Sequence, residues 1–341
     1  MYNKDKSKRG HAVALFSGGL DSALAILLVL KQDIEVTALT FLTHFGCDAS
    51  DRSSCGHNPF PVSEKFGFNV KLMHLGQKFI DIVRSPRYGY GKNMNPCIDC
   101  RILMLNEAKE FMKLTGADFI ITGEVLGQRP KSQMRPSMDI VVRDTELAGK
   151  LVRPLSAKLL PETEPEKSGL LDRSKLEGIS GRSRKRQMEL ATEFGMEDYP
   201  SPAAGCLLTD IGYSNRLRDL LQHSDKIDFD DLNLLRVGRH FRLDEHTKLI
   251  IGRNESDNDK IERYAKPHHI KLEALGTGSP IGLFISDDGD TKVELAAAIT
   301  ARYCDLKSLP QVEITCSGRG EENRLMVAPA EPDTAAAFLL K

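Results

Sequence analysis

Two short strings in this sequence carry residue types that could do chemistry. In Ser17-Gly18-Gly19-Leu20-Asp21-Ser22, glycines and hydroxyls follow the apolar run 11–16 and open a helical one. Glycines let backbone approach an anion closely, the Ser17 and Ser22 hydroxyls add donors, and a helix N-terminus offers free N–H groups and the positive end of its dipole. We read the string as a pyrophosphate cradle rather than a tight turn in which Asp21 or Ser22 only caps the helix. It lacks the Gly-Lys-Ser/Thr ending of the kinase and GTPase phosphate loop. The second string, Asn95-Pro96-Cys97-Ile98-Asp99-Cys100, sets a Cys-x-x-Cys pair at a helix start, where the dipole favours thiolates. A third thiol, Cys206, follows the turn-rich stretch 200–205. The residues alone allow a redox dithiol, a zinc site completed by Cys47, Cys55 or His57, or metal-free chemistry in which Cys100 and Cys206 carry and resolve a persulfide. Otherwise Cys47, Cys55, Cys304 and Cys316 read as buried or incidental.

The first string matches the SGG-x-DS signature of N-type ATP pyrophosphatases, the PP-loop enzymes, and the chain resembles that family, which cleaves ATP to AMP and pyrophosphate. The resemblance implies that Ser17, Gly18, Gly19, Asp21 and Ser22 bind the nucleotide and that Asp21 helps to hold Mg²⁺. The cysteine pattern is similar to that of the tRNA thiouridylases, including the archaeal form of 4-thiouridine synthetase. There a Cys-x-x-Cys and one distant Cys hold a 4Fe-4S cluster through three irons, leaving the fourth iron open to sulfide. On that resemblance Cys97, Cys100 and Cys206 are cluster ligands, with Cys100, Cys206 and Asp21 catalytic. Thr122-Gly123-Glu124-Val125-Leu126-Gly127-Gln128 with Ser132-Gln133 is similar to the TGE-x-x-GQ…SQ segment of 4-thiouridine synthetases, and Arg153-Pro154-Leu155 to the RPL after it. These matches, in order over about residues 10–210, imply that Gly123 admits the nucleotide while Gln128, Ser132 and Gln133 meet adenylate or the target base.

The implied activity is ATP-dependent tRNA sulfur transfer. A uracil C2 or C4 oxygen attacks the α-phosphate of ATP, and sulfide or a cysteine persulfide, supplied as free sulfide or by a cysteine desulfurase, displaces AMP. The base must first be unstacked. Two other readings stand beside it: a PP-loop enzyme of small-molecule amidation or deazapurine type with a zinc site, and a non-catalytic nucleotide- and RNA-binding protein. The THUMP domain and rhodanese-like carrier of 4-thiouridine synthetases are not seen, which leaves the modified position and the sulfur donor open.

The elements that must position these residues follow from pattern. Apolar β-rich runs at 11–16, 34–41, 68–75 and 118–122 alternate with helical runs at 22–31 and 97–114, which argues for a parallel sheet with helices on both faces. Ligands of such sheets bind at the carboxyl ends of the strands. The resemblance makes this a Rossmann-like sheet of the adenine nucleotide alpha hydrolase type. Between 127 and 205 Pro130, Pro136, Pro154, Pro161 and Pro165 punctuate short basic segments, and a helix is expected near 184–194. A smaller α+β domain is expected from residue 210, giving domains 1–209 and 210–341, with a helix near 214–222, strands near 234–243 and 247–251, and a helix at about 257–264. Val237-Gly238-Arg239 and Leu249-Ile250-Ile251-Gly252-Arg253-Asn254 resemble the strand-GRN-helix segment of NFACT-R-type RNA-binding domains over about 235–316.

Composition bounds the rest. The chain has 341 residues, 40% hydrophobic and 28% charged, ordinary values for a globular protein of two domains. A basic start precedes an apolar stretch, but the SGGLDS string breaks that stretch, so neither secretion nor membrane insertion is expected. Seven cysteines, unevenly spaced, do not form a disulfide framework and point to the reducing cytoplasm. A net charge of −1 means that any nucleic-acid footprint is local. The candidates are Arg129, Lys131, Arg182, Arg184, Lys185, Arg239 and Arg253, with Arg242 beside them.

Overall fold

The computed structural model describes residues 8–46, 58–197, 199 and 206–341. The chain divides into two compact units, Met1–Thr209 and Asp210–Lys341. The first runs β1 (Gly10–Leu15), α1 (Leu20–Leu30), β2 (Ile34–Leu42), α2 (Phe60–Phe66), β3 (Asn69–His74), α3 (Gly76–Arg84), α4 (Cys97–Thr115), β4 (Phe119–Thr122), α5 (Arg135–Thr145), β5 (Leu151–Val152), α6 (Glu164–Lys167) and α7 (Lys185–Glu193). All five strands pair in parallel in the order β3-β2-β1-β4-β5. β1 is buried along its whole length, as a strand covered on both faces must be. One face packs Leu24, Leu28 and Val29 of α1 with Leu190 and Ala191 of α7. The other packs Leu105, Ala108 and Met112 of α4 with Val141 of α5. The strand order reverses at β1, between β2 and β4, so the loops after β1 and β4 flank the crevice where parallel sheets bind ligands.

The stretch 127–197 holds more helix than its prolines suggest. Pro136 sits in the first turn of α5, where its missing N–H has no partner to lose, so a residue read as loop punctuation starts a helix.

The second unit runs α8 (Ile211–His223), α9 (Phe229–Leu234), β6 (Arg239–Arg242), β7 (Thr247–Ile251), α10 (Glu255–Tyr264), β8 (Ile270–Ala274), β9 (Gly282–Ser286), α11 (Val293–Arg302), β10 (Val312–Gly318), β11 (Glu321–Val327) and α12 (Pro332–Phe338). Its six strands form an antiparallel sheet, β11-β10-β8-β9-β7-β6. Ala296, Ala297 and Ile299 of α11 pack with Phe241, Leu249 and Phe284. Leu234 and Ile261, from α9 and α10, pack with Ile250 and Leu283. The strand expected from 234 starts only at Arg239, because Leu234 closes α9 and Gly238 takes a positive φ of 72°. Among the described residues, no helix is long and apolar enough to cross a membrane.

Candidate functional site

The loop between β1 and α1 is braced by its own serines. The Ser22 hydroxyl is buried and donates to the Gly19 carbonyl at 2.8 Å while accepting from the Ser17 amide at 3.3 Å. Ser22 therefore shapes the loop, and the exposed Ser17 shares the bracing, its hydroxyl 3.2 Å from that of Ser22 and accepting from the Gly19 amide at 3.4 Å. Gly18 has φ 75°, a value that favours glycine, and no side chain caps α1. The first amides of α1 are thus left for an anion.

Gly123 closes the opposite wall. A Cβ there would lie 2.5 Å from the Ser22 backbone N and Cα and 2.6 Å from the Asp21 carbonyl carbon, so only glycine allows β4 to end against α1. Five residues on, the Gln128 amide donates to Asp21 Oδ2 at 2.8 Å, and the Gln187 amide of α7 donates to Gln128 Oε1 at 3.1 Å. Asp21 Oδ1 is buried without a hydrogen-bond partner. The sequence joined Asp21 and Gln128 to one site, and the fold brings them into contact. It passed over Gln187, whose only signal was an amide on the buried face of α7, three and four residues before Leu190 and Ala191. Gln133 accepts from the Arg129 amide at 3.0 Å and closes the 127–133 turn. Ser132 stands half-buried in the same turn, its amide on the Pro130 carbonyl at 2.9 Å.

The thiols stand at the head of α4 and on a neighbouring turn. Cys100 N–H donates to Pro96 O at 2.8 Å, which starts the helix. Between the two cysteines, buried Asp99 accepts from the amides of Arg87 (2.9 Å) and Tyr88 (3.1 Å). The Lys131 ammonium holds the same loop from the other side through the carbonyls of Tyr88, Gly89 and Tyr90. Next to α4, Met94 N–H donates to Leu208 O at 3.1 Å and the Asn93 side chain to Thr209 O at 2.7 Å, while Leu207 N–H reaches Phe45 O at 3.3 Å. These bonds dock the Cys206–Thr209 turn against the residues that lead into Cys97. Cys97, Cys100 and Cys206 are half-buried thiols. Burial pushes the Cys97 thiol up, partly offset by the charges of Arg101, Lys131 and Arg129.

Among the described residues, no three of His, Cys, Asp or Glu are arranged to hold a metal. Cys97, Cys100 and Cys206 carry the thiols that the 4Fe-4S reading needs, and no step below is derived through the cluster. Cys47, Cys55 and His57, the alternative zinc ligands, lie outside the described residues.

The cations expected to meet RNA differ in availability. Arg129, Arg182 and Lys185 are exposed, and Arg184 is half-buried. Arg186, beside them, is committed to Glu177 and Glu193. In the second unit Arg239 lies over the Tyr303 ring, 4.8 Å from its centroid. Arg253 pairs with Asp257 at 2.7 Å, which also accepts from the Gly238 amide at 3.1 Å and so ties the VGR and GRN turns together. Asn254 caps α10, so much of the GRN string is structural. Arg242, expected at phosphates, instead grips Asp219 with both nitrogens at 2.7 and 2.8 Å inside the unit.

Two segments match family models. Residues 7–157 match the family described as thiamine biosynthesis protein (ThiI). Residues 238–339 match the NFACT protein RNA binding domain. The chain thus joins a segment of ThiI type, which holds the nucleotide loop, Gly123, Gln128 and both cysteines of α4, to one of NFACT-R type. A probable tRNA sulfurtransferase of Thermococcus kodakarensis is 30% identical over 43% of this chain and 37% of its own. A tRNA-specific 2-thiouridylase MnmA of Chlorobaculum tepidum is 32% identical over 33% of this chain and 32% of its own. The chain spans about a third of the length of these relatives. A crystal structure of a 4-thiouridine synthetase–RNA complex with bound ATP aligns at 20% identity over 55% of this chain and 51% of that one, with a TM-score of 0.35.

Proposed function

We propose that this protein is a cytoplasmic tRNA sulfurtransferase that activates a uracil carbonyl with ATP. The ATP phosphates rest on the loop 17–19 and the free amides of α1. The uracil oxygen attacks the α-phosphate, and pyrophosphate leaves on the same loop, where preorganised donors offset its charge. Asp21 is the residue that would hold Mg²⁺. Its Oδ1 is a buried acceptor without a partner, and Gln128 steadies its other oxygen. The ion would neutralise charge on the phosphates. The observation that carries the reading is the meeting of the loop, Gly123 and Gln128 at one end of the sheet, in a segment that matches the ThiI family.

Sulfur handling falls to Cys97, Cys100 and Cys206. A persulfide on Cys100, its outer sulfur transferred from the persulfide of a cysteine desulfurase, attacks the activated ring carbon, and AMP departs with the electrons of the C–O bond. The Cys206 thiolate then attacks the Cys100 sulfur, which frees the thiocarbonyl and leaves a disulfide for an external dithiol to reduce. Sulfane sulfur without iron in the purified protein supports this route. Iron with labile sulfide supports a 4Fe-4S cluster on the same three cysteines. Domain 210–341 is the RNA platform in this reading, through Arg239 and Arg253, while Arg129, Lys131, Arg182, Arg184 and Lys185 serve domain 1–209. Shape-directed recognition of folded RNA needs little beyond such phosphate contacts. Gln128 and Ser132 are assigned to the adenylate.

The test is tRNA-dependent pyrophosphate release. Asp21→Ala and Ser17→Ala should each abolish it with the fold intact. Near-normal turnover in either variant removes the assignment.

A further inference from the structure

Glu124 is the residue after Gly123, and it is buried at 2% exposure. Its carboxylate bridges two arginines from different elements: Arg101 Nε at 3.2 Å and Arg153 Nε at 2.9 Å, with the Thr122 hydroxyl donating at 3.1 Å. Burial opposes its charge, but Arg101 and Arg153 outweigh that and hold the carboxyl below its ordinary range. A buried ion pair by itself is weak evidence of anything beyond packing. What sets this one apart is what each partner is attached to. Gly123 bears directly on Asp21 and Ser22 of the nucleotide loop. Arg101 follows Cys100 directly in α4, at the end of its first turn. The carboxylate therefore joins the end of β4, packed against the nucleotide loop, to the turn that carries the thiols.

On the reading that the protein thiolates tRNA, we propose that Arg101, held by Glu124, is a positioning residue for sulfur transfer: it fixes the first turn of α4, and with it Cys97 and Cys100, relative to the nucleotide end of the sheet. Arg101 touches neither nucleotide nor base in this role. It acts through the helix it sits on. Removing Glu124 would strand the buried Arg153 guanidinium and release Arg101 at the same time, whereas removing Arg101 leaves Glu124 its bonds to Arg153 and Thr122. Arg101 is therefore the informative position.

The experiment follows single-turnover pyrophosphate release and thiouridine in the same reaction for the wild type, Arg101→Ala and Arg101→Lys, with amide exchange measured over residues 97–104. A displacement of about 1 Å at a reacting group costs on the order of 100-fold in rate. In Arg101→Ala, thiouridine formation should fall by that order while single-turnover pyrophosphate release falls less than about three-fold and KM for ATP stays within about two-fold. Arg101→Lys should recover at least about a tenth of the lost product, since it restores the ion pair without the planar fork. Exchange should quicken over 97–104, where the Cys100 amide reports directly, and nowhere in β4. If pyrophosphate release and thiouridine fall together, or exchange over 97–104 is unchanged, the positioning role is wrong. If the wild type releases no pyrophosphate with any tRNA, it is the thiolation reading that fails, and the exchange measurement still decides the role of Arg101.

Discussion

Gly123→Ala tests whether the end of β4 and the head of α1 form one nucleotide wall. The new Cβ would sit 2.5 Å from two backbone atoms of Ser22, where ordinary contact begins at 3.4 Å, so the wall must open by about 0.9 Å. Backbone cannot rotate aside as a side chain can, and overpacking of this kind costs about 1–3 kcal/mol. The same movement stretches the 2.8 Å bond between Gln128 and Asp21 past hydrogen-bonding range. A bond to a charged group is worth about 1.5–3 kcal/mol. At about 1.4 kcal/mol per decade, ATP affinity should fall on the order of 10- to 100-fold. Calorimetric titration of Mg·ATP measures this, with circular dichroism to establish that the variant is folded. A folded Gly123→Ala protein that binds ATP within two-fold of the wild type would refute the close packing on which the site is built.

Three further outcomes are expected. Gln187→Leu removes the donor that steadies Gln128, at a cost of about 1 kcal/mol, so KM for ATP should rise about five-fold with kcat for pyrophosphate release nearly kept. Asp219 lies buried against Arg242 and Lys248, and burial opposes its charge less than those partners favour it, which lowers its pKa to about 2. A depressed carboxylate stabilises fully above its ordinary value of 3.8 and loses that contribution as pH falls through about 2, so acid should melt domain 210–341 in that window. Asp219→Asn should lower its thermal midpoint by the equivalent of about 3–5 kcal/mol and flatten the acid dependence in a calorimeter. Arg239→Gln, which leaves the Arg253–Asp257 pair alone, should weaken tRNA binding and reduce the salt slope by about one, read by fluorescence anisotropy across a salt series.

What the sequence displayed, and what it hid, follows from how far each signal reaches along the chain. β1, α1 and α4 were legible because each is a continuous local pattern, an apolar run or a long helix with a Pro-Cys start, bounded by glycine. The nucleotide loop was legible because its chemistry is compressed into six residues. α5 was hidden by Pro136, since proline marks a loop in one context and a first helical turn in another. β8 to β11 went unread although glycines at 276, 278, 289, 318 and 320 mark their turns, because their place in the sheet rests on cross-strand pairing that no short window contains. In the site, Gly123 was marked as a place of close approach, but its neighbour is α1 itself. Asp99 lies between the two cysteines of interest, yet its carboxylate reaches back to Arg87 and Tyr88. Gln187 and Arg101 gain their meaning from contacts 59 and 23 positions away, with Gln128 and Glu124.

The central claim is that ATP cleavage and sulfur insertion are one coupled reaction on tRNA. The most direct measurement incubates the full chain with Mg·ATP, a sulfur donor and unmodified tRNA, and quantifies AMP by chromatography and thiouridine by mass spectrometry of the digested RNA. The account requires thiouridine to appear with about one AMP for each residue formed, and neither product to appear when ATP is omitted or Asp21 is alanine. AMP released without thiouridine, or thiouridine formed without ATP, would contradict it.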